Sequence, residues 1–171
     1  MCIRDRSIPR LKNQRINIGF EILASILSVG RNSRLVRVLK EEKNLVQSIY
    51  VDVNVGELGG LLIMEACCDE INLKKVEGEI NEIIKEVESC KNITLNELKK
   101  AINIVKSNYI FNLETSTQQA SFYGNELLWS RENSLEDLDN HLKYWNNLIH
   151  FKEIINHLSR DNFTLIASPS K

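Results

Sequence analysis

Proline and glycine are scarce, with two prolines and seven glycines among 171 residues. No Pro-, Gly- or Ser-rich linker divides the chain, and neither a repeat nor a low-complexity tract interrupts it, so one domain is expected. Cysteine is also sparse. Cys2, Cys67, Cys68 and Cys90 include no pair at the C-x-x-C spacing of zinc ribbons and redox sites, and they are read as reduced thiols. Neighbours on a strand point to opposite faces, so Cys67 and Cys68 are expected in two different environments. No charge of one sign dominates: 22 Lys and Arg stand against 23 Asp and Glu, a net charge of −1. Without a basic excess to neutralise phosphates, nucleic acid is not an expected partner. Long apolar runs are missing too. The stretches Leu61 to Met64 and Ala66 to Cys68 are split by Glu65, far below the ~20 residues a bilayer crossing needs, so no membrane partner is expected.

The start of the chain has no apolar segment of signal-peptide type, because Arg4, Asp5, Arg6, Pro9 and Arg10 crowd it. A cytoplasmic location is expected. Residues 1–6 resemble a translated sequencing adapter and are set apart as non-native, within a fragment start of 1–15 that precedes a domain of 16–169.

What the sequence does have is the 43% apolar and 26% charged make-up of a globular domain. At this size folding buries roughly 70% of the surface of the unfolded chain, so neither disulfide nor structural metal is required. Apolar residues at helical spacing predict a helix over 16–28 ending at Gly30, then a shorter one capped by Ser33, with Leu35, Val36 and Leu39 inward and Arg34, Arg37 and Lys40 outward. Alternation over 45–54, with Ile49, Val51 and Val53 on one face, and an apolar run over 58–67 predict two antiparallel strands. A stripe of Leu73, Val76, Ile80, Ile83, Ile84 and Val87 predicts a helix lying on the sheet. Thr94 and Glu97 form a capping box, and Leu95, Leu98, Ala101, Ile102, Val105 and Tyr109 then predict a second long helix beside the first. Further helices over 116–129, 135–148 and 151–158 and a last strand over 163–167 complete an α+β fold, mainly antiparallel sheet with long helices on one face. Trp129, Trp145, Phe122 and Tyr123 are read as core or interdomain packing.

Several local words resemble the second-type, C-terminal domain of insulinase-like (pitrilysin) zinc metallopeptidases. Val29-Gly30-Arg31-Asn32-Ser33-Arg34-Leu35 is similar to that family's Gly-Gly-x-x-Ser-Arg-Leu turn, with Gly30, Ser33, Arg34 and Leu35 as its structural motif. Leu39-Lys40-Glu41-Glu42-Lys43-Asn44-Leu45-Val46 then runs into a strand, and Gly59-Gly60-Leu61-Leu62, Thr94 to Ala101 and Asn162 to Ile166 follow in the family's order. The resemblance spans about residues 16 to 169.

It implies a bacterial zinc-dependent endopeptidase in which two halves enclose an unfolded peptide. A His-x-x-Glu-His helix in a different domain binds zinc and activates water. That motif is not found in this sequence. Its histidines are His141, His150 and His157, and His150-x-x-Glu153 is followed by Ile154. A surface zinc clasp of His150, Glu153 and His157 is weighed against the plainer reading, in which His150 starts a helix and His157 is a solvated helix residue. No metal is expected on this chain, and zinc is assigned to a partner N-terminal domain. The resemblance also implies an Arg and, seven positions later, a Tyr that bind the scissile carbonyl. Those positions hold Lys40 and Gln47. Lys40 keeps the charge without the planar fork, and Gln47 keeps a donor with a shorter reach. Tyr50 is expected to point to the other face, and Arg37, one helical turn earlier, could serve only with a backbone shift. Several bacterial members of the family it resembles work as pairs, one subunit carrying zinc and the other the Arg/Tyr pair, so the resemblance implies a heterodimer. The chain is therefore read as part of a zinc-bearing subunit, inactive alone, that meets a second family subunit. The alternative is a non-catalytic structural or interaction subunit. No Gly-x-Ser-x-Gly elbow supports an independent hydrolase.

Overall fold

The segment from Ile16 to Leu27 has more apolar positions than one helical stripe needs, and its surroundings explain why. In the computed structural model, which describes residues 2–8, 14–56, 59–89, 92–128, 137–158 and 163–168, helix α1 (Gln14–Ser28) has ten buried residues. A helix apolar round most of its circumference belongs inside. One side of α1 lies on the sheet, and the others meet α3 (Leu95–Phe111), α5 (Leu138–Trp145) and α6 (Leu148–Ile155). Gly19 permits the closest approach, since a Cβ there would stand 2.7 Å from Ile154 Cδ1 and 3.0 Å from Trp145 Cε2. The Trp145 indole N–H donates to the Arg15 carbonyl at 2.6 Å, which fastens α5 to the first turn of α1.

Among the described residues the sheet has four strands in the order β2 (Ser48–Val55), β3 (Gly60–Cys67), β1 (Cys2–Ile8), β4 (Phe163–Ala167), all antiparallel. Alternation divides its faces. Ile49 and Val51 of β2 and Leu62, Met64 and Ala66 of β3 are buried in the core, while Tyr50, Asp52 and Leu61 remain exposed. Helix α2 (Leu73–Glu88) buries Val76, Ile80, Ile83, Ile84 and Val87, as its stripe predicts. Its end is tied to β1 by Arg6, whose buried guanidinium reaches Glu88 at 3.4 Å. The fold is α+β.

The structure adds to or changes the expected pattern at four points. Residues 1–6, set apart above, are placed in the sheet: Cys2–Ile8 lies between β3 and β4. Ladder pairing uses backbone groups, so β3 gains a partner whatever side chains that partner carries. The helix expected over 135–148 is shorter, and a new one begins at once, because the Asn147 side chain accepts the Ile149 N–H at 2.8 Å and caps α6. Helix α3 packs chiefly on α1 rather than on α2. Helix α4 (Ser116–Leu128) leaves Tyr123 and Leu127 exposed and half-buries Phe122. Trp145 is fully buried, whereas Trp129 lies outside the described residues.

Candidate functional site

The corner after α1 is built from the Gly30 to Leu35 word. Gly30 adopts φ +86°, a left-handed conformation open to glycine at little cost. Ser33 Oγ donates to the Gly30 carbonyl at 2.7 Å, and the Ser33 carbonyl accepts from the Arg37 N–H at 2.8 Å. Leu35 is buried in the core. Arg34 makes a forked pair with Glu97, Nε to Oε1 at 2.7 Å and Nη2 to Oε2 at 2.9 Å, and Nη2 also reaches the Asn92 carbonyl at 2.7 Å. The carboxylate bond raises the Arg34 pKa further, against the opposing effect of burial. Thr94 caps α3 by accepting the Glu97 N–H at 3.1 Å. The corner is thus bonded to the start of a helix 63 residues away in sequence. Sequence reading finds the Thr94–Glu97 box and expects Arg34 to be a structural residue that pairs with a carboxylate or a helix end, but does not say which, because nothing in either word names the other.

Val36–Glu42 is a π-helical segment rather than an ordinary helix. The Lys43 N–H reaches back five residues to Val38 O at 3.0 Å, and such turns are frequent at functional sites. Asn44, at φ 48°, ends it, and the Leu45 N–H closes onto Leu39 O at 2.8 Å. Lys40 is exposed on this segment. Beside it, Glu41 pairs with Arg31 at 2.7 Å and Arg37 with Glu42 at 3.3 Å. The hydrogen bond from Arg31 holds the Glu41 carboxyl below its ordinary range, and the charge of Lys40 adds to this.

Gln47 lies beyond the turn, also exposed. Its N–H donates to Cys67 O at 2.7 Å, and its Oε1 accepts from Cys67 Sγ at 3.6 Å. No hydrogen bond joins Lys40 to Gln47 among the described residues. Tyr50 faces Glu65 across the ladder and donates its hydroxyl to that carboxylate, which pushes the phenol pKa upward. The expectation that Tyr50 points away from Gln47 is corrected. Glu65 and Cys67 stand two apart on β3 and share a face, so their partners Tyr50 and Gln47 share it too. Alternation does not extend back to Gln47, which precedes the strand; Val46 and Ile49, three apart, are both buried.

The three histidines go separate ways. His150 Nδ1 lies 3.0 Å from the Tyr144 carbonyl, and its ring stacks on Tyr144 at 4.1 Å. Glu153 accepts from Tyr144 Oη at 3.2 Å. His157 follows the end of α6 with its ring 5.7 Å from Phe20, so it is not a solvated helix residue. Burial, and then the nearby Arg15, lower the His141 pKa below 6.5. Among the described residues no group of three or more His, Cys, Asp or Glu could hold a metal ion, and no helix is long and apolar enough to cross a membrane. Cys67 and Cys68 are free thiols in different settings. Cys67 contacts Gln47, while Cys68 packs against the core, where burial raises its pKa.

With this geometry in place, residues 7–105 match the family described as "Peptidase M16 inactive domain". The chain belongs to this family, as its local words suggest. Among known proteins it is 27% identical over 144 residues to an uncharacterized zinc protease of Bacillus subtilis, YmxG, a match covering 84% of this chain and 34% of that protein. The chain thus spans about a third of the curated relative it matches. A crystal structure of a protease from Helicobacter pylori shares the fold at a TM-score of 0.81 and 20% identity, over 96% of this chain and 40% of that one. A chain of Complex III2 from Candida albicans shares it at 0.72 and 15%, over 89% and 38%.

Proposed function

We propose that this chain is the C-terminal-type domain of a zinc-dependent endopeptidase subunit, forming one wall of a chamber that encloses an unfolded peptide, and that it hydrolyses nothing alone. Zinc is held by a preceding His-x-x-Glu-His domain, and the carbonyl-binding Arg and Tyr are supplied by a second family subunit in a cytoplasmic heterodimer. The observation that carries this reading is the contrast at one corner. Gly30, Ser33 and Arg34 make the bonded turn in full, while the two positions it leads to hold Lys40 and Gln47, with the Gln47 amide turned onto Cys67. A family turn built without its carbonyl-binding pair suits a half that receives that pair from elsewhere. Lys40 and Gln47 then retain at most a weak contact with the peptide.

The same substitutions support a second reading, a non-catalytic assembly subunit, for which the fold of the Complex III2 chain offers a parallel. One experiment separates the two. The full reading frame is recovered from a longer clone, and the complete protein is assayed with its co-encoded family partner on a fluorogenic peptide with and without zinc. Zinc-dependent cleavage, together with His-x-x-Glu-His in the frame, supports the peptidase reading. A frame without that motif, and no cleavage with any partner, leaves the assembly role.

A further inference from the structure

The two edges of the sheet are finished differently. At the β2 edge the Val51 N–H donates to Ser28 Oγ at 2.8 Å, and the Val53 N–H donates to the neighbouring Asp52 Oδ1 at 2.8 Å. Side chains have taken these two outward donors, in the middle of the edge that an added strand would pair with. Hydrogen-bonding direction alternates along each strand and from strand to strand. The registers Val51↔Met64, Met64↔Arg4 and Asp5↔Thr164 therefore turn Thr164 and Ile166 toward β1, and Phe163, Leu165 and Ala167 outward. Among the described residues β4 pairs on one side only, with β1. An edge of this kind is a template for another strand.

We infer that β4 is a self-pairing interface through which two copies of this chain join edge to edge, antiparallel about a two-fold axis at Leu165. The sequence from Asn162 to Ser170 carries no Asp, Glu, Lys or Arg, so two copies meet without like charges opposed. A centre at Leu165 is self-complementary: Leu165 pairs with its own copy and Phe163 with Ala167, so outward backbone groups meet outward backbone groups on both chains. Pairing also covers Leu165 and Ile166, which are 36% and 52% exposed. The product is one continuous eight-stranded sheet with β4 and its copy at the centre.

The test uses Leu165→Pro. Because the Leu165 N–H faces away from β1, proline removes a donor from the open edge without breaking a bond to β1. Light scattering across a concentration series is expected to show a dimer of the whole chain, and Leu165→Pro to weaken it about tenfold or more, with thermal melting of the dilute monomer unchanged. Leu165→Lys, which opposes two charges at the axis, gives the same loss and replaces the proline variant should that one misfold. A chain that stays monomeric at every concentration overturns the inference, as does a dimer whose affinity neither substitution changes.

Discussion

At the scale of single residues, the Arg34–Glu97 pair does the most to fix the corner that leads to Lys40. Its two side chains are 12% and 27% exposed, so removing the guanidinium strands a half-buried carboxylate and the Asn92 carbonyl together. Arg34→Ala is expected to lower unfolding stability by about 1–3 kcal/mol, read by urea titration with circular dichroism. Unchanged stability would refute a structural role. His141 offers a pH test. Its folded pKa lies below 6.5 because burial disfavours the charged ring, so the unfolded chain binds the proton more readily. Its contribution is fully present above about pH 6.5 and is lost as pH falls from there through the lower folded pKa. A His141→Gln variant should lose less stability than the parent between neutral and mildly acid pH. Equal slopes for the two chains would show that His141 titrates alike in both states.

At the scale of elements, the approach of α1 to α5 and α6 depends on one missing side chain. Gly19→Ala gains helix propensity but drives a Cβ against Ile154 and Trp145, for a net loss of about 1–2 kcal/mol. A double-mutant cycle checks the cause. The loss should shrink when Ile154→Ala is already present, and an undiminished loss would place the strain elsewhere. Elements were legible in the sequence where a stripe faced one neighbour, as in α2, whose predicted apolar set is the set that packs. They were less legible where a single polar contact decides, as at Asn147, because a capping side chain leaves the apolar period on either side almost unbroken. The hydrogen-bond step of Val36–Glu42 was not legible at all, since a five-residue step differs from four by geometry and not by residue type. Strand β1 was invisible for a related reason: it is recruited by its backbone, and Cys2–Ile8 has no apolar alternation to announce it.

At the scale of the whole molecule, the candidate site was half legible. The Gly30 to Leu35 word and the positions of Lys40 and Gln47 can be read directly. The sharing of one face by Gln47 and Tyr50, and the ties to Cys67 and Glu65, depend on where the strand's alternation begins, which no local pattern gives. The proposed division of labour makes a quantitative demand. In the zinc-bearing heterodimer, Lys40→Ala and Gln47→Ala should each change kcat/KM by less than about threefold, against the 10²- to 10³-fold typical of a lost oxyanion donor. A loss of that larger size would return carbonyl binding to this chain.

The π-helical segment has a further consequence, for the lengths of chain this corner can accept. A five-residue hydrogen-bonded step encloses one residue more than the four-residue step of an α-helix, so a single deletion can be absorbed by relaxing to the ordinary step while both ends of the segment keep their places. Deleting the exposed Glu41 should lower the melting temperature by only a few degrees. Deleting the equally exposed Lys106 from α3 would rotate everything after it by about 100° and pull the rest of that helix out of register with α1. The turn that positions Lys40 is then the place where chains of this type can gain or lose a residue and still fold.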